Sequence, residues 1–223
     1  MERISTSTVE PAEPQTSAVG DVARAEPGQK ASIHPLWLRA THWLNATAVV
    51  LMVTSGWRIY NASPIYGTRF PNEVTLGGWL GGALQWHFAA MWLLVANGLI
   101  YLTWNVMVGR FRRKFLPLDA AGVWRDLRKA LSGQLSHADP RQYNSLQRLA
   151  YLVAIADVTL LVLSGLVLWK SVQFHVLREL LGGYEGARLV HFYAMATLVA
   201  FTVGHVLMVA LVPRTLIAMV RGR

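Results

Sequence analysis

The chain has 223 residues, of which 53% are hydrophobic and 15% charged, and its mean hydropathy is positive. This composition is typical of an integral membrane protein, and the formal charge of +9 then reflects Lys and Arg at the cytoplasmic membrane surface, with no nucleic-acid partner needed. The absence of cysteine excludes iron–sulfur clusters, thiolate zinc sites, covalently attached c-type haem and disulfides within the chain.

Residues 1–32 are rich in Ser, Thr, Pro, Glu and Ala and show no apolar periodicity. Their composition predicts a disordered cytoplasmic tail, and they lack the hydrophobic segment that a cleaved signal peptide carries. We therefore expect the first spanning helix to direct membrane insertion. Residues 33–223 are predicted to form one membrane domain.

Four long apolar runs, at residues 36–57, 79–108, 149–169 and 189–211, predict four transmembrane helices. The loop after the first run and the loop after the third run carry few charges, whereas the central loop is the most basic part of the chain. By the positive-inside rule, the central loop and both termini face the cytoplasm. The predicted fold class is an all-α integral membrane protein with a bundle of four transmembrane helices.

A short amphipathic helix is predicted within the central loop. Asp119 is a candidate N-cap and Gly133 ends the pattern. We expect this helix to lie on the inner membrane surface, with packing against a partner protein as the alternative. Its apolar positions at helical spacing are Ala120, Trp124, Leu127 and Leu131.

Four histidines lie within the predicted spans, where ionisable side chains are rare and usually functional. His191 and His205 are fourteen residues apart, so they share nearly one face of one helix, about 21 Å apart along its axis. The topology places His87 and His191 near the outer surface, and His42 and His205 near the inner surface. Each pair is predicted to bind one b-type haem through both axial positions, which favours electron transfer over oxygen chemistry.

A histidine in a membrane helix can also serve only as a hydrogen-bonding group between helices. The alternative from a different class is therefore a haem-free four-helix transporter or scaffold whose histidines carry protons or hydrogen bonds. The three remaining histidines, His34, His137 and His175, do not fit the paired pattern and are predicted to lie on the surface.

Several further residues are candidates for the surroundings of a haem. Glycine at positions 56 and 204 gives room for a flat macrocycle, with ordinary helix packing as the alternative. Arginines at the span ends are candidates for binding haem propionates, although arginine is also expected there for topology alone. They are Arg39 and Arg148 at the inner level, and Arg58 and Arg188 at the outer level.

Asp157 is a carboxylate within the third predicted span. An intramembrane carboxylate is a functional candidate, and this one lies about 10 Å from the cytoplasmic start of its helix, where it could deliver protons to a quinone. The alternative is a protonated or hydrogen-bonded residue that links neighbouring helices. Arg148 and Tyr151 are loose candidates for a quinone pocket.

Four segments resemble those of a known family. They are HPLWLRATHWLNA from residue 34, WHFAAMWLLVANGLIY from residue 86, YNSLQRLAYL from residue 143 and ARLVHFYAMATLVAFTVGHV from residue 187. Over residues 33–215 the chain resembles the bacterial dihaem b-type cytochrome membrane subunits, which include the cytochrome b subunits of nickel–iron hydrogenases, formate dehydrogenases and thiosulfate reductase-like enzymes. The residue corresponding to Asp157 is mainly apolar in that family.

The resemblance implies that His42, His87, His191 and His205 are the axial ligands, in the pairs given above. It implies electron exchange between a membrane quinone and an external enzyme at the bacterial inner membrane, with no other catalysis by the chain itself. The most similar members accompany a periplasmic molybdopterin oxidoreductase, and a hydrogenase or formate dehydrogenase is the alternative partner. The outer loops, residues 61–78 and 171–186, are then expected to dock the partner.

Overall fold

The computed structural model describes residues 35–107, 119–132 and 145–222. Within these ranges the regular secondary structure is all helical. The predicted tail at residues 1–32, together with His34 and His137, lies outside them. The seven α-helices are α1 (Leu36–Ala62), α2 (Leu80–Met107), α3 (Ala120–Leu131), α4 (Ser145–Trp169), α5 (His175–Leu180), α6 (Gly183–Leu211) and α7 (Pro213–Arg221). A 3₁₀ turn covers Asn72–Val74.

Three of these helices, α2, α4 and α6, are long and apolar enough to cross a membrane. Helix α1 has 27 residues, but polar side chains such as Arg39, Asn45 and Arg58 make it less apolar. The helices α4 and α6 begin four and six residues before the predicted apolar runs. This difference is expected because a helix can extend past the hydrocarbon layer with a polar first turn. The all-α class predicted from the sequence is confirmed for the described residues.

The long helices pack as two antiparallel pairs, α1 with α2 and α4 with α6. Small side chains let the helix backbones approach closely, which is how helices associate in a membrane, where burial from water contributes little. The buried residues of the four helices include Ala48, Ser55, Ala83, Ala90, Ser164, Ala187 and Ala194.

Asn97 provides a polar link within the first pair. Its side-chain amide donates hydrogen bonds to the Thr41 carbonyl at 2.8 Å and to the Asn45 amide oxygen at 2.7 Å. Asn97 is only 6% exposed, so its amide depends on these partners. The bonds fix the register of α2 against α1.

We define the outer end of the bundle as the end that carries residues 63–79 and 170–182. There the two pairs meet through aromatic side chains: Tyr60 of α1 stacks on Phe192 of α6 at a centroid distance of 5.2 Å. Phe88 of α2 contacts Trp169 of α4 at 5.4 Å. These rings hold the first pair against the second.

The opposite, inner end carries two amphipathic helices. Helix α3 agrees with the sequence prediction, and its Asp126 carboxylate accepts a hydrogen bond from the Ser145 backbone N–H at 2.9 Å, which caps the start of α4. Helix α7 was not predicted, because the basic residues of this segment suggested only a cytoplasmic end. Pro213 at its first position was the available signal. Arg39 of α1 donates to the Met219 carbonyl at 3.1 Å and so ties α7 to the bundle.

The outer loop between α4 and α6 is more ordered than we expected. Within the predicted loop, residues 175–180 form the short helix α5, which packs against both α4 and α6. His175 begins this helix and is exposed, as predicted. The loop between α1 and α2 is predominantly irregular, in agreement with its turn-forming composition.

The Asn97→Ala substitution is expected to destabilise the protein by about 1 kcal/mol, because it removes two hydrogen bonds between helices in apolar surroundings. Unfolding of the purified protein in mixed detergent, followed by circular dichroism, measures this loss. Asn105→Ala is the matched control: Asn105 is 7% exposed, and among the described residues its amide bonds only to the Tyr101 carbonyl of its own helix, at 2.7 Å. Equal losses in the two variants would contradict the role of Asn97 in joining the helices.

Candidate functional site

At the inner level, the fold brings together the rings of His42 and His205, from α1 and α6. Their centroids are 6.1 Å apart, and the ring planes are inclined by 59°. Two imidazoles that bind one metal ion, each through a bond of about 2 Å, have centroids about 6 Å apart. The separation therefore fits a pair of axial ligands, as the sequence analysis predicted from depth alone.

Aromatic neighbours orient the inner pair. Phe201, one helical turn before His205, lies parallel to its ring at 6.3 Å, with an interplanar angle of 9°. Trp43 meets the ring of His42 edge-on at 5.4 Å. His42 is half-buried and His205 is exposed on the protein surface. The ring of His205 is thus oriented by stacking on Phe201 and is otherwise exposed.

At the outer level, His87 of α2 and His191 of α6 are close enough to interact electrostatically. Each ring is bonded to a serine of the helix with which its own helix packs. Ser55 Oγ lies 3.0 Å from His87 Nδ1, and Ser164 Oγ lies 2.9 Å from His191 Nδ1. Both serines are fully buried. With Nδ1 engaged in this way, Nε2 of each ring is the nitrogen left for a metal.

Each of these serines is followed by a glycine that accommodates the histidine ring. A Cβ atom on Gly56 would lie 3.5 Å from His87 Cε1, and one on Gly165 would lie 3.3 Å from His191 Cε1. Gly56 therefore packs against the ring of His87, which favours the packing alternative for that residue. Gly204 differs, because a Cβ there would meet no other group within 4 Å among the described residues.

Ser55, Ser164 and Gly165 were missed by the sequence analysis. The signal that could have revealed them is a Ser-Gly pair that occurs in both the first and the third long helix. In each half of the chain, the next long helix carries His-Phe at its outer end, at residues 87–88 and 191–192.

Three of the candidate arginines, Arg39, Arg58 and Arg188, make hydrogen bonds that explain their positions. Arg39 bonds to α7, and Arg58 donates to the Asn72 side chain and the Gly78 carbonyl. Arg188 donates to Glu185 at 2.9 Å and to the Ser63 carbonyl. These contacts favour the structural alternative for the arginines. Arg148 is half-buried.

Arg58 also contributes to an outer cavity of about 550 Å³ between the end of α1 and the following loop. Arg69 and the side chains of Asn61 and Asn72 lie in the same wall, so the cavity is polar and positively charged. Leu80, at the start of α2, forms part of its floor.

An aromatic cluster covers the outer end next to His191. The hydroxyls of Tyr66 and Tyr193 are hydrogen-bonded to each other, and the ring of Phe192 meets Tyr66 edge-on at 5.8 Å. The bond to Tyr193 raises the pKa of the Tyr66 phenol above its ordinary value. Tyr66 and Tyr193 are both exposed, so the cluster connects the surroundings of His191 with the outer surface.

Asp157 lies in the middle of α4 and is half-buried. Its Oδ2 atom is buried and has no hydrogen-bond partner among the described residues. Asp157 is seven residues before Ser164, so the two side chains share one face of α4, the face packed against α6. Tyr151, a candidate for a quinone pocket, is exposed near the inner end of the same helix.

Comparison with known proteins identifies the family of the chain. The family described as prokaryotic cytochrome b561 matches residues 33–222. A protein of Azospira oryzae, provisionally described as protein-methionine-sulfoxide reductase subunit YedZ1, is 67% identical over 191 residues, which are 86% of this chain and 96% of that protein. No solved structure matches the chain. The resemblance to cytochrome b membrane subunits is thereby confirmed, and the chain belongs to the prokaryotic cytochrome b561 family, for which haem b is the redox cofactor.

Proposed function

We propose that the chain is a dihaem cytochrome b that carries electrons across the bacterial inner membrane, between the quinone pool and a periplasmic molybdopterin-dependent oxidoreductase. The observation that carries the proposal is the pairing of four helix-borne histidines at two levels, with His42 and His205 separated by 6.1 Å. A bound haem supplies one-electron redox chemistry, and ligation by two imidazoles leaves no open iron position for a substrate.

The protein's own groups fit two haems. His42 and His205 would hold the inner haem, and His87 and His191 the outer one. The serine bonds fix the outer rings, and Phe201 and Trp43 orient the inner rings. Because His191 and His205 share one face of α6, both levels lie along one side of that helix.

We propose that α1 is the fourth spanning helix. It packs along α2, and its 27 residues are long enough to cross a bilayer. Its less apolar character comes from Arg39 and Arg58 near its ends and from Asn45, whose side chain bonds to Asn97 of α2. The topology with both termini in the cytoplasm is supported by the amphipathic helices α3 and α7 at the inner end, each with basic residues in its last turn.

The identity of the partner rests on the relative from Azospira oryzae. Since that protein is described as a subunit of a protein-methionine-sulfoxide reductase, we propose that this chain delivers electrons to an enzyme of the same activity. Reduction of one sulfoxide to methionine consumes two electrons and two protons and releases water, so electrons run outward from quinol. The exposed aromatic cluster and the loops of residues 61–78 and 171–186 form the proposed docking surface.

Replacing one histidine from each level is expected to remove a different haem. Wild-type protein should contain about two b haems per chain, His42→Ala should lose the inner haem, and His87→Ala the outer. Reduced-minus-oxidised spectra with haem quantitation measure this. His175→Ala is the matched control, because His175 is exposed and should leave both haems bound. Protein without haem after expression with sufficient haem would contradict the cofactor proposal. Loss of both haems from either folded variant would contradict the pairing.

Gly165→Val is expected to displace the His191 ring, since even a Cβ atom there would lie 3.3 Å from Cε1. The variant should lose about half of its haem or show an altered outer-haem spectrum, while the spectrum of the inner haem is unchanged. Ala156→Val is the control, because it places the same valine side chain at an exposed position of α4. Wild-type haem content and spectrum in Gly165→Val would be inconsistent with the proposed position of the outer haem.

The partner can be identified with the tagged full-length chain. Purification from membranes should retain a periplasmic molybdopterin subunit, and membranes given a quinol should reduce methionine sulfoxide in a test protein. Quinol-dependent reduction of methionine sulfoxide should be lost in His87→Ala and kept in Ala156→Val, which lies outside the proposed docking surface. Co-purification of an iron–sulfur subunit of a hydrogenase or a formate dehydrogenase would instead support the alternative partners.

A further inference from the structure

We infer that Ser55 and Ser164 are positioning residues that set the tautomer of both outer ligands and hold the potential of the outer haem down. The inference rests on the proposed function, because it concerns His87 and His191 as ligands. Ser55 Oγ lies 2.6 Å from the Leu51 carbonyl, and Ser164 Oγ lies 2.7 Å from the Leu160 carbonyl. A carbonyl only accepts, so each hydroxyl donates its single hydrogen to its own helix.

Each serine oxygen must then accept a hydrogen bond from Nδ1 of the facing histidine, over 3.0 Å at His87 and 2.9 Å at His191. A second acceptor supports this direction. The Met52 carbonyl lies 3.2 Å from Ser55 Oγ and also interacts with the His87 ring. In the same way, the Leu161 carbonyl lies 3.2 Å from Ser164 Oγ and interacts with the His191 ring. With oxygen acceptors on this side of each ring, the proton is at Nδ1 and the lone pair is at Nε2.

The same unit occurs twice along the chain, which argues against a chance contact. Residues 51–57, LMVTSGW, correspond to residues 160–166, LLVLSGL, and residues 87–96, HFAAMWLLVA, correspond to residues 191–200, HFYAMATLVA. Seven of the ten residues in the second comparison are identical. Each half thus has a Ser-Gly helix packed against a His-Phe helix, and the two outer ligands occupy equivalent positions.

The equivalence does not extend to the inner level. By the same alignment, the counterpart of His205 is Tyr101, and the counterpart of His42 is Tyr151. Among the described residues, no hydrogen bond is made by the ring of His205, which packs instead against Phe201. The outer level is therefore the one at which both histidine rings are hydrogen-bonded to a serine.

This difference has an electronic consequence. A hydrogen bond donated from Nδ1–H increases the electron density on the ring and makes Nε2 a stronger donor to a metal. A stronger donor stabilises the ferric state more than the ferrous state, which lowers the reduction potential. Two such bonds, one on each side of the same iron, act in the same direction.

The test is a potentiometric titration of the full chain as Ser55→Ala, Ser164→Ala and the double variant. The outer haem, assigned as the component missing from His87→Ala, should shift to a more positive midpoint potential in each single variant and further in the double. The inner haem should not shift. The low-spin ferric electron paramagnetic resonance signal of the outer haem should change in parallel.

Two matched controls remove a hydroxyl whose hydrogen bonds, within the described part of the chain, all go to its own helix. Thr54→Ala loses a bond to the Val50 carbonyl at 2.8 Å, and Thr159→Ala loses a bond to the Ile155 carbonyl at 2.7 Å. Neither control should move either potential. A shift as large as that of the serine variants would show that the effect comes from helix packing and would overturn the inference.

A second set of variants covers the case in which alanine prevents assembly. Threonine and valine have nearly the same shape, so Ser164→Thr should keep the wild-type potential of the outer haem, while Ser164→Val should raise it or lose that haem. Equal potentials in these two variants, or unshifted potentials in folded alanine variants with two haems, would overturn the inference and leave the proposed function intact. Wild-type protein without two haems would overturn the proposed function itself.

Discussion

The arrangement depends on the need to satisfy polar ring nitrogens inside an apolar bundle. An unpaired donor in such surroundings costs several kcal/mol, so the imidazole N–H of a histidine packed between two helices needs an acceptor. Ser55 and Ser164 meet this need at Nδ1 of the outer rings, and the adjacent glycines allow the rings to come close enough. The close packing of α1 on α2 and of α4 on α6 is thus a condition for the outer site as well as for the fold.

The long helices and the histidine pairs could be predicted from the sequence because both depend on local properties. Apolar length identifies a span, the distribution of Arg and Lys gives its direction, and direction gives the depth of each histidine. Depth alone paired His42 with His205, and the two rings lie 6.1 Å apart. Two histidines can be paired without knowing which helices are neighbours, because two ligands of one haem must lie at the same depth in the membrane.

The serines could not be predicted in the same way. A serine in a membrane helix ordinarily bonds to the carbonyl four residues earlier, as both Ser55 and Ser164 do, and this bond gives no hint of a second partner. Whether a histidine also reaches the hydroxyl depends on the rotation and register of two helices, which packing determines. The contacts of Arg58 and Arg188 depend likewise on loop backbone whose course the sequence does not reveal. Helix α7 was missed because its basic residues were interpreted only as the mark of a cytoplasmic end.

The two halves of the chain carry the same Ser–His contact at the outer level but different residues at the inner level. Asp157 is another residue that only one half carries. Its counterpart in the first half is Ala48, so only the second half carries a carboxylate at this depth. A quinone exchanges protons whenever it exchanges electrons, whereas transfer between two haems involves electrons alone. The repeated Ser–His unit suits electron transfer between the proposed haems, which needs firmly oriented ligands and no proton donor. Of the unrepeated residues, Tyr151 and the inner histidines lie towards the inner end of the bundle, and Asp157 lies in the middle of α4. Proton chemistry there would require groups that a symmetric site lacks.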